Sequence, residues 1–374
     1  MNSKLKEVGL VFFKLGCFAF GGPAAHIAMM EDEIIEKRKW MTRDYFLDLI
    51  GTTNLIPGPN STEMTMHCGY ERAGKPGLFV AGIAFIFPAT LITALLAYLY
   101  IKYGELPQVQ PFIYGIKPAV LAIIASAILK LGKKALKSTE LIIIGVLVLL
   151  VSLLGVNEVV ALLSAGVLGM LYFYFKSKTG INLNSIAPLL VPIALNTTIA
   201  KLSTLKLFFI FLKVGAILYG SGYVLFAYLD AELVTRGLLT RAELIDAIAI
   251  GQFTPGPVLS TSTFIGYQLS GFTGALVATA GIFLPSFLFV LILNPFIPKM
   301  RNSKLLRHFL DAVNVAAVAV MLAVLLIMAK ETLIEWQSIS IAIVAVFLTF
   351  KTKISTIWTI VIGAILGFLL LTMI

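Results

Sequence analysis

Ten apolar runs of roughly membrane-spanning length fill most of the chain, and they constrain its fold more than any other feature. A helix needs about 20 apolar residues to cross the hydrocarbon core of a bilayer. The composition agrees, since 13% of the residues are charged, whereas soluble domains have about 25%. The sequence therefore predicts an all-α polytopic membrane protein. The runs are approximately 8–30, 77–101, 111–129, 139–155, 158–175, 207–229, 272–297, 309–329, 337–350 and 354–373.

Charge and cysteine content narrow the choice of partners. The net charge of +10 is typical of cytoplasmic loops rich in lysine and arginine, and it also suits an anionic substrate. We expect a lipid bilayer around the chain and no nucleic-acid partner, because the sequence has no soluble basic domain. Cys17 and Cys68 lie in apolar segments without a ligand pattern, so no disulfide, metal or other cofactor is predicted. Lys14 interrupts the first apolar run, which argues against a cleavable signal peptide.

The chain contains an internal repeat. Residues 42–59 align with 240–257 at seven identical positions of eighteen, including a Pro-Gly-Pro motif. Residues 69–88 align with 266–285 at seven of twenty. The order and spacing of these matches indicate a tandem duplication. It predicts a first membrane repeat, a linker and a second membrane repeat at 1–180, 181–203 and 204–374, respectively.

Each repeat is predicted to contain a broken helical hairpin at its Pro-Gly-Pro motif. As one helix, residues 42–72 would be about 46 Å long, which exceeds one membrane crossing, while either half would be too short. A re-entrant hairpin, which enters and leaves the membrane on one side, satisfies both lengths. The non-helical turn at the motif would then be buried inside the membrane.

The loop charges predict that the two repeats have inverted topology. Lysine and arginine accumulate in cytoplasmic loops, and loops rich in them in the first repeat correspond to poor loops in the second. About five transmembrane helices per repeat, plus the hairpin, satisfy nearly all loops, although the N-terminus then lies outside despite Lys4 and Lys6. The rich stretches are 31–43, 130–137, 299–307 and 351–353, and the poor ones are 102–110 and 330–336.

The two motifs, Pro57-Gly58-Pro59 and Pro255-Gly256-Pro257, predict a site for an anion. Discontinuous helices in inverted repeats commonly form the substrate site of a secondary transporter. The free N–H groups and the positive dipole end of the helix after each motif attract negative charge. The alternative is a kink that serves close packing alone.

Polar residues and glycines around the motifs complete the predicted substrate site. Lys14 and Lys213, at matching positions, are predicted counter-charges for the substrate, with snorkelling to the membrane surface as the alternative. Glycines on the first helix of each repeat would let that helix approach the hairpin closely. The remaining predicted members are Gly21, Gly22, Asn54, Asn60, Ser61, Thr62, Gly220, Gln252, Ser260 and Thr261.

Four titratable residues near the motifs are candidates for coupling transport to protons. Asp48 and Asp246 occupy matching positions; their alternative role is packing, or an ion pair with the arginine five residues before each. Glu63 and His67 lie four residues apart, on one face of the first half-helix, and have no counterpart in the second repeat. A local hydrogen bond is the alternative for this pair.

Three stretches resemble a known family: FGGP at 20–23, WMTRDYFLDLIGTTNLIPGPNS at 40–61 and LLTRAELIDAIAIGQFTPGPVLS at 238–260. They are similar to the duplicated signature of the chromate ion transporter family, over essentially the whole chain. The resemblance implies two homologous membrane halves and efflux of chromate across the plasma membrane, coupled to an ion gradient, with sulfate as the close chemical analogue. Ser221, where the first half has Gly22, and the unmatched Glu63 and His67 pair depart from the pattern.

Other functions compete with coupled transport. An enzyme is not expected, because the sequence lacks a metal-binding HExxH, paired aspartate motifs, a cysteine pair for electron transfer and a P-loop. A passive anion channel and a carrier of another oxyanion, such as sulfate, stay open as alternatives. Broken helices occur in channels as well, and the predicted donors suit any tetrahedral dianion. The sequence also leaves a homodimer open.

Overall fold

The structure is a computed structural model that describes residues 3–20, 22–53, 56–179, 203–219, 222–293, 303–352 and 354–372. Within these ranges every regular element is helical and none is a strand. The prediction of an all-α protein is therefore confirmed. Gly21, Asn54 and Gly220 of the predicted site, and nearly all of the predicted linker at 181–203, lie outside the described residues.

Fourteen α-helices occur in the described ranges, numbered in chain order. Two of them, α2 and α9, continue into π-helical turns, Asp32–Lys37 and Asp230–Val234. The helices are α1 (Ser3–Phe18), α2 (Pro23–Glu31), α3 (Arg43–Thr53), α4 (Asn60–Tyr103), α5 (Gln110–Ala135), α6 (Thr139–Leu153), α7 (Glu158–Thr179), α8 (Thr204–Ile217), α9 (Leu225–Leu229), α10 (Arg241–Phe253), α11 (Thr261–Leu293), α12 (Lys304–Thr332), α13 (Trp336–Lys351) and α14 (Thr356–Thr372).

Several of these helices have the length and composition of membrane spans. In the described part of the chain, α4, α5, α7, α11 and α12 are long and apolar enough to cross a bilayer, and α6, α13 and α14 are shorter apolar helices. Many large apolar side chains on their outer faces are exposed. Such an exterior suits lipid rather than water, so the chain is an integral membrane protein.

Helices α4 and α11 are each folded into a helical hairpin. In α4 the chain leaves helical backbone angles at 73–74 and then doubles back, so that Met66 packs against Gly82. Helix α11 has the same turn at the matching position, and the hydroxyl groups of Thr263 and Thr279 lie 2.7 Å apart across it. The segment after each Pro-Gly-Pro motif is therefore a short half-helix that packs antiparallel to a long one.

Two apolar runs that the sequence presents as single spans, 8–30 and 207–229, are broken in the structure. In the first run, α1 ends at Phe18 and α2 begins at Pro23. Proline is tolerated at this position because a backbone N–H in the first turn of a helix has no partner within the helix. Gly22 has a φ of +77°, a conformation that favours glycine. In the second run, helix does not continue through 218–219. Hydropathy alone does not reveal these interruptions.

The helices of the two repeats pack across one another. The first helix of each repeat stays within it, since α1 packs on α4 and α8 packs on α11. The last two helices of each repeat cross over, so that α6 and α7 pack on α12, while α13 and α14 pack on α5. One hydrophobic core therefore contains residues from both repeats.

Helices α5 and α12, at matching positions of the two repeats, run antiparallel. Near the start of α5, the Tyr114 hydroxyl donates to Glu335 Oε2, just beyond the end of α12, at 2.7 Å. Beyond the end of α5, Lys137 Nζ lies 2.6 Å from Asp311 Oδ1, in the first part of α12. The beginning of each helix therefore lies beside the end of the other.

Helices α5 and α14 approach closely through small residues. A Cβ atom on Gly115 would lie 2.7 Å from the Cα atom of Gly367 and would overlap the carbonyl oxygen of Gly363. Gly363 and Gly367 form a GxxxG pair on α14. Such small residues allow helix backbones to pack closely in membranes.

We predict that Gly115→Ala lowers the stability of the protein in detergent by about 1–3 kcal/mol, because the added methyl group overpacks two backbones. Gly132→Ala, on the same helix, is the matched control, since its Cβ would lie 3.6 Å from Val318 Cγ1. The control should be neutral or slightly stabilising, because alanine favours helix over glycine. Thermal unfolding measures both variants, and equal effects would contradict the close approach of α5 and α14.

Candidate anion-binding site

Four helix breaks, two from each repeat, come together in one region. They lie between α1 and α2, α3 and α4, α8 and α9, and α10 and α11. Pro59 and Pro257 are the residues immediately before the helical turns that follow the two motifs. Gly22, at the first break, contacts the Tyr223 side chain at the third, because a Cβ atom on Gly22 would lie 3.0 Å from the Tyr223 hydroxyl. The following contacts place the other two breaks beside them.

Each Pro-Gly-Pro motif is hydrogen-bonded to the other repeat through its main chain. The Gly58 N–H donates to the Leu218 carbonyl oxygen at 2.6 Å, and the Gly256 N–H donates to the Ala19 carbonyl oxygen at 2.9 Å. Leu218 and Ala19 are matching positions, so the internal repeat relates these two crossed hydrogen bonds. An unpaired backbone group in an apolar interior costs several kcal/mol. The crossed hydrogen bonds therefore stabilise each break against the other repeat.

The two motif glycines have no room for a side chain. A Cβ atom on Gly256 would lie 2.8 Å from the Cβ atom of Ala89. On Gly58 it would lie 2.6 Å from Ser286 Oγ and would overlap Glu63 Oε1. Ala89 and Ser286 are also matching positions, so each motif packs against the long hairpin helix of the other repeat. Both glycines have a positive φ, +139° and +84°.

Several buried donors around the breaks have no hydrogen-bond partner in the described part of the chain. The hydroxyl groups of Thr62 and Ser260 are fully buried and unpaired, and that of Ser286, also fully buried, faces Glu63. Thr62 and Ser260 occupy matching positions, each three residues after the second proline of its motif. Gln252 Nε2 is unpaired as well. Because an unpaired buried group costs about 1–3 kcal/mol, a polar ligand that accepts from these donors would be stabilised here.

Glu63 lies beside the unpaired donors. Its side chain is fully buried, and neither carboxyl oxygen makes a hydrogen bond of ordinary geometry, although the Ser286 hydroxyl is a polar neighbour. Within the described residues it has no ion-pair partner. An isolated buried carboxylate is strongly disfavoured, so this environment favours the neutral acid. His67, one helical turn further along α4, is also buried, and the role of the pair stays a prediction.

His26 belongs to this region, although it is not among the residues predicted from the sequence. Its Nε2 lies 3.1 Å from the Ala19 carbonyl oxygen and its Nδ1 lies 3.2 Å from Ser61 Oγ. The side chain is 1% exposed and its ring meets that of Phe85 edge-on. One signal was available, since the chain has three histidines and His26 lies three residues after the FGGP stretch.

Lys14 and Lys213 form ion pairs with carboxylates. Lys14 Nζ lies 3.6 Å from Glu33 Oε1, and Lys213 Nζ lies 2.5 Å from Glu232 Oε1. The lysine side chains are 64% and 47% exposed, and both glutamates are buried. The structure thus gives the lysines partners of their own, and their role as substrate counter-charges stays a prediction.

A matching cluster of charges surrounds each of these two glutamates. Lys37 and Arg38 contact Glu33, and Arg236 lies 2.8 Å from Glu232. Burial raises the pKa of the Glu33 carboxyl, but hydrogen bonds from Lys37 and Arg38 outweigh burial and lower that pKa below its ordinary value. The carboxylate is therefore ionised at neutral pH, and it fixes the π-helical turn after α2 to its neighbours.

Asp48 and Asp246 occupy matching positions but have different environments. Asp48 is exposed, whereas Asp246 is buried, accepts a hydrogen bond from the Tyr100 hydroxyl at 2.7 Å and lies 3.5 Å from Lys117 Nζ. Arg241, considered above as its partner, pairs with other carboxylates. The two aspartates therefore match in sequence but differ in burial.

The remaining predicted donors differ in their hydrogen bonding. The Thr261 hydroxyl donates to the carbonyl oxygen of Val258 at 2.8 Å, so it caps its own helical turn. Ser61 is engaged with His26. Asn60 is the first residue of α4 and is partly exposed. Of the predicted donors, Thr62, Ser260 and Gln252 are the ones that the structure leaves unpaired.

Comparison with known proteins identifies the family. The chromate transporter family model matches residues 6–170 and 205–368. The chromate transport protein of Cupriavidus metallidurans is 31% identical over 359 residues, which cover 93% of this chain and 88% of that protein. The probable chromate transport protein of Synechococcus elongatus is 31% identical over 373 residues, covering 97% and 95%. The chromate transport protein of Pseudomonas aeruginosa is 28% identical over 377 residues, covering 96% and 90%.

No solved structure matches the chain. The family match extends over both repeats, including all four helix breaks and the resembling stretches of sequence. These relatives are named as transport proteins, and the match covers 88% and 95% of the first two. The chain belongs to the chromate transporter family.

Proposed function

We propose that the protein is a secondary transporter that exports a tetrahedral oxyanion, chromate, across the plasma membrane, coupled to an ion gradient. The observation that carries this proposal is the set of unpaired donors beside the crossed hydrogen bonds. Hydroxyl, amide and backbone N–H groups donate to an oxyanion in charge-assisted hydrogen bonds, which are stronger than neutral ones. The names of the relatives support chromate as the ion.

The helix starts after the two motifs supply part of the charge compensation. One helix N-terminus is equivalent to about half a positive charge, so two offset about one of the two charges of a dianion. We retain Lys14 and Lys213 in the proposal as a second source, available when their ion pairs with Glu33 and Glu232 open. A bound proton is a third source.

The proposed architecture is a pair of inverted repeats, each with a re-entrant hairpin at its Pro-Gly-Pro motif. The antiparallel course of α5 and α12 supports the inversion, because these helices match in the alignment of the repeats. The reciprocal crossing of α6 and α7 onto α12, and of α13 and α14 onto α5, supports it too. In such transporters the substrate site lies between the repeats, which is where the four breaks meet.

The membrane potential supports the outward direction. An inside-negative potential drives anions out of the cell, by about 2.3 kcal/mol per elementary charge for each 100 mV. A dianion therefore gains about twice this driving force when it leaves without compensating charge. A carrier of this kind needs no cofactor or energy-coupling domain to export chromate.

Replacement of the motif glycines tests the site. Gly58→Ala and Gly256→Ala should abolish chromate transport in proteoliposomes, because the added methyl group collides with the other repeat at each break. Gly74→Ala and Gly271→Ala are matched controls, since both glycines have a positive φ but open space around the Cβ position. The controls carry the backbone strain alone and should keep transport. Normal transport in both Gly58→Ala and Gly256→Ala would reduce the breaks to packing kinks.

Coupling is tested at Glu63. In proteoliposomes, Glu63→Gln should preserve chromate exchange but abolish chromate accumulation driven by a pH gradient, because glutamine keeps the shape of the neutral acid and cannot release a proton. Asp246→Asn, at a buried carboxylate that already has partners, tests the next coupling candidate in the same assay. Gradient-driven accumulation that persists in Glu63→Gln would exclude this residue from coupling. Gradient-independent flux in the wild type would favour a passive channel.

Inverted topology is tested by labelling single cysteines in a protein that lacks Cys17 and Cys68. Lys134→Cys should react with an impermeant reagent from the cytoplasmic side, whereas Lys102→Cys and Lys330→Cys should react from the opposite side. All three lysines are exposed. Reaction of positions 134 and 330 from the same side would contradict the inversion.

A further inference from the structure

His26 is held by two hydrogen bonds that determine where its protons lie. The Ala19 carbonyl oxygen can only accept, so the Nε2 atom that faces it at 3.1 Å carries a hydrogen in every state of the ring. Nδ1 faces Ser61 Oγ at 3.2 Å, and a hydroxyl group can donate or accept. The charge of the ring therefore decides the direction of the hydrogen bond between His26 and Ser61.

Each charge state gives the Ser61 hydroxyl a different orientation. When His26 is neutral, Nδ1 accepts and the Ser61 O–H points at the imidazole. When His26 is protonated, Nδ1 donates, the Ser61 oxygen accepts, and the Ser61 hydrogen is free to turn towards another acceptor. Ser61 is the second residue of α4 and directly precedes the unpaired Thr62 hydroxyl. Protonation thus adds both a positive charge and a donor to this helix start.

We propose that His26 is a proton-linked positioning residue of the anion site, which gains a proton when the oxyanion binds and turns the Ser61 hydroxyl towards it. This inference rests on the proposed function. The bound dianion supplies the counter-charge that a buried imidazolium needs, while the two helix N-termini leave about one negative charge of the dianion uncompensated. The position that matches His26 in the second repeat is Leu225, so the site contains one such switch.

The charged neighbours of His26 leave this role available. The elements packed on α2 are α1, α4 and the π-helical turn. Lys14 of α1 and Glu33 of that turn pair with each other, and Glu63 of α4 is the titratable group nearest to Ser61 in sequence. The Tyr223 hydroxyl, from the second repeat, lies near Gly22 at the start of α2. Within the described residues, no carboxylate forms an ion pair with His26.

The test is chromate binding to the purified full-length protein, by equilibrium dialysis between pH 5.5 and 8, for the wild type and His26→Gln. Glutamine can donate to the Ala19 carbonyl and accept from Ser61, so it reproduces the neutral imidazole but takes up no proton. We expect similar affinities at pH 8 and a wild-type affinity at least about tenfold higher at pH 5.5, the size of one charge-assisted hydrogen bond. The ratio of the two proteins at each pH cancels the protonation of chromate itself.

Two further comparisons isolate the residue. The ratio should rise in the same way towards acidic pH when both proteins also carry Glu63→Gln, which removes the titratable group nearest to Ser61 in sequence. Ser61→Ala keeps His26 but lacks the hydroxyl, and its affinity should also fall below the wild type most strongly at acidic pH. This variant provides the test if His26→Gln does not fold.

The outcomes separate the two proposals. A wild-type to His26→Gln ratio that is constant with pH, with or without Glu63→Gln, assigns His26 a merely structural role and overturns this inference. A wild-type to Ser61→Ala ratio that is constant with pH overturns it as well. Absence of chromate binding by the wild type at every pH would overturn the proposed function itself.

Discussion

The two crossed hydrogen bonds between the motif glycines and the opposite repeat are the interaction on which the rest of the site depends. Inside a membrane protein, a backbone that leaves the helix must find other partners for its N–H and carbonyl groups. Here Gly58 and Gly256 find theirs at the broken first helix of the other repeat. The break in the hairpin and the break in the first helix therefore stabilise one another, and neither is complete within one repeat.

The sequence predicts the repeat, the helical class and the two Pro-Gly-Pro breaks, because these depend on local composition and on proline and glycine chemistry. It does not predict the partners of the breaks, since Gly58 and Leu218 lie 160 positions apart and the contact uses main-chain atoms. The ion pairs of the two lysines could have been predicted from the sequence. Lys14 and Glu33 are 19 residues apart, as are Lys213 and Glu232, and this shared spacing marks a common structural role.

The scaffold around the site is nearly symmetric, while its acid–base chemistry is not. Helix starts, motif glycines and charge clusters come in matching pairs. The buried titratable groups next to the breaks, His26 and Glu63, both come from the first repeat, and Leu225 and Thr261 replace them in the second. A nearly two-fold scaffold can thus carry paired donors without doubling the number of buried titratable groups beside them.

The crossed hydrogen bonds also determine how such a chain can change over evolution. A main-chain carbonyl oxygen accepts a hydrogen bond whichever side chain its residue carries, and the two acceptors here belong to Ala19 and Leu218. Substitutions at these two positions can therefore accumulate without loss of the crossed hydrogen bonds. An insertion or deletion between such a carbonyl and its helix would shift the acceptor away from the glycine and disrupt the half-helix of the opposite repeat. The two halves are free to diverge in side chains, but their lengths around the breaks must stay in register.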